Sequence, residues 1–196
     1  MPGRLFLARD PGLEGLDPDP PRFNIAPGQE VSVLTAEGAR RMRWGLIPQG
    51  RVNARGRPVL ETIVNARSET LFDKTAFAGL RRGAVPVDGW YEWTGKAGRK
   101  TAWRIARADD ALIWFAAIWD VWTAPGGTEV AQVATVTCPP NADVAPIHHR
   151  MGVILDPADL GTWMGDDTDA ALALARPFPD GGLLPAPAGD VDWQGR

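Results

Sequence analysis

Along the chain, apolar residues recur at the two-residue spacing of strands more often than at the spacing of a helix face. VSVLT at 31–35 and TAWRIA at 101–106 alternate, the mark of a strand with one face in a core and one toward water. EVAQVATVT at 129–137 extends that reading to a longer strand, and ALIWFAAIW at 111–119 is continuously apolar, as a strand covered on both faces is. Between them lie turn-forming stretches, DPGLEGLDPDPP at 10–21 and the Pro and Gly recurring through 48–58, which read as loops. Successive strands joined by turns predict a mainly antiparallel, barrel-like sheet.

Helical signals are few and peripheral. Ser68 caps a segment running to about Leu80, Asp156 with Pro157 at the first helical position opens another, and Asp166 precedes a third in DDTDAALALAR. After Arg176 the sequence PFPDGGLLPAPAGDVDWQGR predicts an irregular arm over the surface. The predicted class is therefore α+β: one domain spanning 1–196, an antiparallel pseudo-barrel sheet flanked by short helices, with 177–196 as a C-terminal arm.

Composition narrows the chemistry. Gly and Pro supply 22 and 18 of 196 residues, rich in turns but below low-complexity levels. A single cysteine excludes an intramolecular disulfide and a multi-cysteine zinc site, and two adjacent histidines make a poor metal cluster. No metal and no cofactor are expected. No apolar run approaches the roughly 18 residues of a membrane span, and MPGRLFLARDPG lacks the pattern of a secretory signal. The expectation is a soluble, cytoplasmic monomer.

The net charge of −3 hides an asymmetry, because residues 1–104 carry 17 Lys and Arg against 11 Asp and Glu, and the remainder 4 against 13. Arg40, Arg41, Arg43, Arg51, Arg55 and Arg57 cluster around Trp44 without an intervening acid, which suits phosphate contact beside base stacking. Solvated loop arginines are the plainer reading of the same run. Trp103, Trp114 and Trp119 are assigned to the core.

Four polar clusters sit in apolar, strand-like surroundings: MPGR at the start, NARSET at 65–70, DGWYEW at 88–93 and IHHRM at 147–151. Glu92, between Tyr91 and Trp93, is placed for desolvation that raises its pKa into the range useful for proton transfer, unless it points to water. His148 or His149 suits a general acid or base. Asn65 and Arg67, two apart on an extended stretch, share a side and suit an anionic or carbonyl oxygen.

Taken in order, MxGR, RFNIAP (22–27), WGLIP (44–48), NARSET, VPVDGWYEW (85–93), AAIWDVW (116–122) and IHHRMGVIL (147–155) resemble the SOS response-associated peptidase (SRAP) family of abasic-site processing proteins. The resemblance implies a pseudo-barrel with a basic groove for single-stranded DNA, association with the nucleoid when bound, and covalent reaction with the aldehyde of a ring-opened abasic site. It places Asn65, Glu92 and His148 at the family's active-site positions, and leaves His149 at the variable position of the His-x-Arg-Met pattern. Arg4, Arg67 and Arg150 match basic DNA-contacting positions, and Trp44 and Pro48 lie in the segment that meets DNA beside the lesion.

Two residues depart from the family pattern. Pro2 stands where the family's nucleophilic cysteine would be, and the one thiol, Cys138, follows a long strand and reads as a buried free cysteine. Gly152 replaces the proline usual after Arg-Met. A thiazolidine is thereby excluded, but an N-terminal proline is a secondary amine able to form an iminium ion with an aldehyde. The sequence leaves three readings open: an abasic-site lyase working through Pro2, a binding-only protein, and an autopeptidase that removes Met1.

Overall fold

The computed structural model describes residues 2–48, 55, 61–71, 79–96, 98–124, 126–189 and 191–193. Met1, Arg51, Arg57, most of the 48–58 loop, positions 72–78 of the expected first helix and the last three residues lie outside the described residues.

Thirteen strands are described: β1 Arg4–Leu7, β2 Arg22–Ile25, β3 Glu30–Thr35, β4 Gly38–Trp44, β5 Asn65–Arg67, β6 Arg81–Val87, β7 Gly89–Lys96, β8 Arg99–Arg107, β9 Ile113–Thr123, β10 Glu129–Cys138, β11 Met151–Gly152, β12 Ile154–Leu155 and β13 Leu183–Pro187. With two short helices, α1 Leu160–Met164 and α2 Thr168–Leu174, they make a mainly β member of the α+β class. The four segments of apolar or alternating sequence all became strands, β3, β8, β9 and β10.

Five strands close on themselves. β10 pairs with β4, β4 with β3, β3 with β6, β6 with β9, and β9 back with β10, so the ring has no free edge. Alternation did not disclose that two of the pairings are parallel. β10 takes β4 at Gln132–Val133 and β5 at Thr135–Thr137, both parallel, so two short strands lie in line along one edge of a long one.

The second sheet runs β13-β8-β7-β1-β2. The chain passes from barrel to second sheet at Asp88, between β6 and β7. That buried carboxylate accepts hydrogen bonds from the backbone N–H of Ala8 at 2.6 Å and of Arg9 at 3.2 Å, and pairs with the Arg9 guanidinium. It ties the end of β1 to the crossover. Leu5, Trp90 and Ile105 on the inner face of this sheet join the barrel core, whereas Phe6 and Tyr91 on the outer face form a small cluster with Ala188, Trp93 and Trp193.

The expected irregular arm is a strand for part of its length. Leu183–Pro187 pairs with β8, and Trp193 then packs edge-on to Tyr91 with ring centroids 5.0 Å apart. Prolines at both Pro185 and Pro187 are tolerated because β13 is an edge strand. The helices differ from expectation in detail. Asp167, one residue after the expected start, caps α2 by accepting from the N–H groups of Asp169 and Ala170 at 3.0 Å each. Ser68 opens only a short 3₁₀ turn through Thr70 within the described residues.

Trp119 is in the core as assigned, while Trp103 and Trp114 are half-buried. Cys138 is buried, and burial pushes its thiol up to about 12, so it is no nucleophile. Gly152 is buried with its Cα against the ring of Phe115, leaving no room for a Cβ. That contact gives a physical reason for glycine where the family pattern carries proline. No helix among the described residues is long and apolar enough to cross a membrane.

Candidate active site

The N-terminal segment enters the molecule where the two sheets meet. β1 runs antiparallel to β7 with Arg4 opposite Tyr91 and Leu5 opposite Trp90, and continuing that register carries Gly3 and Pro2 toward Glu92. From the barrel side, β5 presents Asn65, whose Nδ2 donates to the Pro2 carbonyl at 2.9 Å. The amide is held in that sense because Thr135 Oγ1 on β10 donates to Asn65 Oδ1 at 2.6 Å. The parallel pairing of Thr135 with Asn65 brings the two side chains together. Pro2 is itself buried.

Glu92 lies on the inner face of β7 beside Trp90 and is 3% exposed. Burial raises its pKa, while the charges of the chain's amino terminus and His149 act in the opposite direction. A carboxyl in this setting holds a proton more readily than one in water, which suits a general acid.

His148 follows a turn built on Asn141, whose Oδ1 accepts from Val144 N–H at 3.1 Å and whose Nδ2 donates to Pro179 O at 3.2 Å. The imidazole Nδ1 lies 3.0 Å from Arg150 N–H and 3.1 Å from Arg150 O. Both tautomers are thus accommodated. With the proton on Nε2, Nδ1 accepts from the amide; with the proton on Nδ1, it donates to the carbonyl. Desolvation lowers the His148 pKa, and the positive charge of the amino terminus lowers it further. That same charge lowers the pKa of Glu92, of His148 and of His149.

Arg150 was expected at a DNA phosphate. The structure turns it inward instead: it is 7% exposed, its fork engages both carboxylate oxygens of Glu69, and Nη2 also donates to Thr137 O at 2.6 Å. The Arg150 guanidinium holds the Glu69 carboxyl down at about 2. Arg150 therefore ties the His148 turn to β10 and to the Ser68–Thr70 turn.

Trp44 is fully buried and Pro48 is buried, so the Trp44 ring presents no open face for a base to stack on. The WGLIP segment is held against β10 by Gln132, which is fully buried. Its side-chain amide exchanges two 2.8 Å hydrogen bonds with the backbone of Ile47, standing in for one more rung of a sheet. Arg67 is exposed on the same side of β5 as Asn65, and Arg4 is half-buried with Nη1 donating to Asn24 Oδ1 at 2.7 Å. Of the arginine run, Arg41 pairs with Asp19 and Arg43 donates to Gly45 O at 2.8 Å.

Thr135, Glu69, Asn141 and the stacking of His149 were not legible in the sequence. Glu69 stood inside NARSET, and its fork-forming partner two motifs away was the signal available. His149 stacks on His148 with ring centroids 4.3 Å apart and planes at 28°. No group of three or more His, Cys, Asp and Glu side chains among the described residues could hold a metal ion.

Similarity to known proteins bears on the family. Residues 8–187 match the family described as SOS response associated peptidase (SRAP). The chain is 30% identical over 169 residues to the abasic site processing protein YoqW of Bacillus subtilis, covering 81% of this chain and 74% of that one. It is 30% identical over 156 residues to the abasic site processing protein YedK of Escherichia coli, covering 76% and 67%. Among solved structures, a phage-related protein from Bordetella bronchiseptica superposes with a TM-score of 0.72 at 24% identity, over 95% of this chain and 94% of that one. A protein from Bacteroides thetaiotaomicron gives 0.75 at 22% identity, over 86% and 78%. With residues 8–187, most of its length, matched by the family model, this chain belongs to the SRAP family.

Proposed function

We propose that the protein processes abasic sites in single-stranded DNA and that Pro2, exposed by removal of Met1, is its nucleophile. The observation that carries this reading is the hydrogen bond from Asn65 to the Pro2 carbonyl, made beside the buried Glu92. The names of the relatives support the substrate class.

The Pro2 amine adds through its lone pair to the aldehyde carbon of the ring-opened sugar. Loss of water from the resulting carbinolamine leaves an iminium ion, and protonated Glu92 supplies the proton carried off by the departing hydroxyl. The iminium acidifies the neighbouring sugar C–H. His148 acts as the base that takes that proton, and the freed electron pair expels the 3′ phosphate in β-elimination. Water then hydrolyses the iminium and returns the free Pro2 amine. Asn65 fixes the proline carbonyl and with it the direction of the amine. Arg67 and Arg4 line the approach for backbone phosphates.

Incubation with an abasic single-stranded oligonucleotide tests the reading. Strand scission without borohydride, and a covalent complex with it, are expected. A protein lacking Met1 that binds this DNA yet gives neither product acts by binding alone, a reading favoured by a proline rather than a thiol at position 2. Retention of Met1 in the intact mass removes Pro2 as nucleophile.

A further inference from the structure

The chain after β13 is more than a surface arm, because its contacts converge on Asn24. Ala188 N–H donates to Ala102 O at 2.9 Å, one rung beyond β13, and Trp193 then packs against Tyr91 and Trp93 with ring centroids 5.0 and 5.3 Å apart. Tyr91 is fully buried and its hydroxyl donates to Phe23 O at 2.9 Å, which fixes the backbone of β2 next to Asn24. That support matters because β2 is a four-residue strand at the edge of its sheet. Asp192 reaches the Asn24 side chain directly, its carbonyl accepting from Nδ2 at 2.9 Å.

Two bonds then define the Asn24 amide. With Nδ2 on Asp192 O, Oδ1 faces Arg4 and accepts from Nη1 at 2.7 Å. Reversed, the amide would set donor against donor at Arg4 and oxygen against oxygen at Asp192. The Arg4 guanidinium is thereby held in one place, and its holder is neutral. No carboxylate pairs with Arg4 among the described residues, so the charge that an aspartate at position 24 would cancel remains available to an anion.

We propose that Asn24 is a positioning residue for Arg4 and that the C-terminal segment, through Asp192 O and Trp193, sets it, which makes this segment part of the grip on a DNA backbone phosphate. The proposal rests on the reading of Arg4 as a phosphate contact. Without the Trp193 anchor Asp192 O leaves Asn24, the amide is free to turn, and Arg4 samples many rotamers. Binding a phosphate must then order the side chain again, at a cost in affinity.

The test is the affinity of the full chain for a single-stranded oligonucleotide bearing a tetrahydrofuran abasic analogue, which has no aldehyde and so reports binding apart from chemistry. Fluorescence anisotropy over a range of salt concentrations gives both affinity and salt slope. Arg4→Gln should flatten the logarithmic salt slope by about 0.7 and weaken binding about fivefold at about 0.1 M salt, the share of one phosphate on a single strand. Trp193→Ala and Asn24→Ala should each weaken binding about threefold in a chain that keeps Arg4, and have no further effect in the Arg4→Gln chain. Trp193→Phe, which keeps a ring against Tyr91, should retain the unaltered affinity. Asn24→Ala leaves the aromatic cluster intact and decides the matter if Trp193→Ala does not fold. Equal losses from Asn24→Ala with and without Arg4 overturn the proposal, as does unchanged binding in Asn24→Ala. A salt slope unaltered in Arg4→Gln overturns the reading of Arg4 as a phosphate contact and the proposal with it. Absence of binding by the unaltered protein overturns the proposed function itself.

Discussion

Asn65 Nδ2 donates to the carbonyl oxygen of Pro2 at 2.9 Å, while its own Oδ1 accepts from Thr135 Oγ1 at 2.6 Å. One amide thus joins the barrel to the N-terminal segment. Replacing Asn65 with Ala should slow trapped-adduct formation about 100-fold, the scale on which misplacing a reacting group acts. Thr135→Val should give a smaller loss of the same kind, because Asn65 then keeps its side chain but loses what orients it. Rates from quenched time courses check both, and an unchanged rate in Asn65→Ala counts against the positioning role.

Pro2→Cys should convert a transient iminium into a heat-stable adduct on abasic single-stranded DNA, since amine and thiol can then close a thiazolidine on the aldehyde. The readout is a shifted band that survives boiling without borohydride. Its absence would mean that Asn65, Glu92 and His148 no longer form a working site.

Glu92 carries a pH signature in stability as well as in rate. Its pKa is raised by burial, so the folded state favours the neutral carboxyl. That preference stabilises the fold fully below the ordinary carboxylate pKa and is lost as pH rises through the raised folded value. Glu92→Gln removes the titration. Its Tm should exceed that of the unaltered protein by a few degrees at pH 8 and match it near pH 4. Thermal melts across this range check the sign.

Arg150 and Glu69 predict the opposite pH dependence. Glu69 is held at about 2 by Arg150, so the stability from this pair is present above the ordinary carboxylate range and is lost as pH falls toward about 2. Arg150→Lys loses the two-pronged contact and the bond to Thr137 O. We expect a loss of about 2–3 kcal/mol at neutral pH, below the roughly 3–5 of a fully buried pair because Glu69 keeps access to water. Denaturant unfolding at pH 7 and pH 3 should show the difference shrinking in acid.

Gly152 touches the ring of Phe115 with no space for a Cβ. Gly152→Ala should cost about 1–3 kcal/mol through overpacking, and Phe115→Leu in the same chain should recover part of that loss. A double-mutant cycle measured by chemical denaturation isolates the coupling, and strict additivity would contradict the contact.

How far the sequence disclosed this arrangement depended on the range of the signal. Period-two patterning located β3, β8, β9 and β10 because each alternation or apolar run is local. It could not disclose that β4 and β5 share one edge of β10 in parallel, since pairing partners far apart leave no local mark. Motif resemblance brought Asn65, Glu92 and His148 to one place, but it assigned Arg150 and Trp44 to the surface by position alone. Which way a side chain turns is decided by partners: Glu69 and Thr137 draw Arg150 inward, and the closed barrel encloses Trp44. The tail looked irregular because Pro and Gly dominate it, and an edge strand accommodates the prolines.

Everything proposed for this site turns on whether the amine of Pro2 forms the bond to the abasic sugar. Borohydride reduction of the complex, proteolysis and tandem mass spectrometry of the N-terminal peptide read that bond out. Met1 should be absent and the reduced sugar attached to the nitrogen of Pro2, with the modification lost in a protein that retains Met1. Attachment to a lysine side chain, or no attachment in protein with a free Pro2 amine, would refute the assignment.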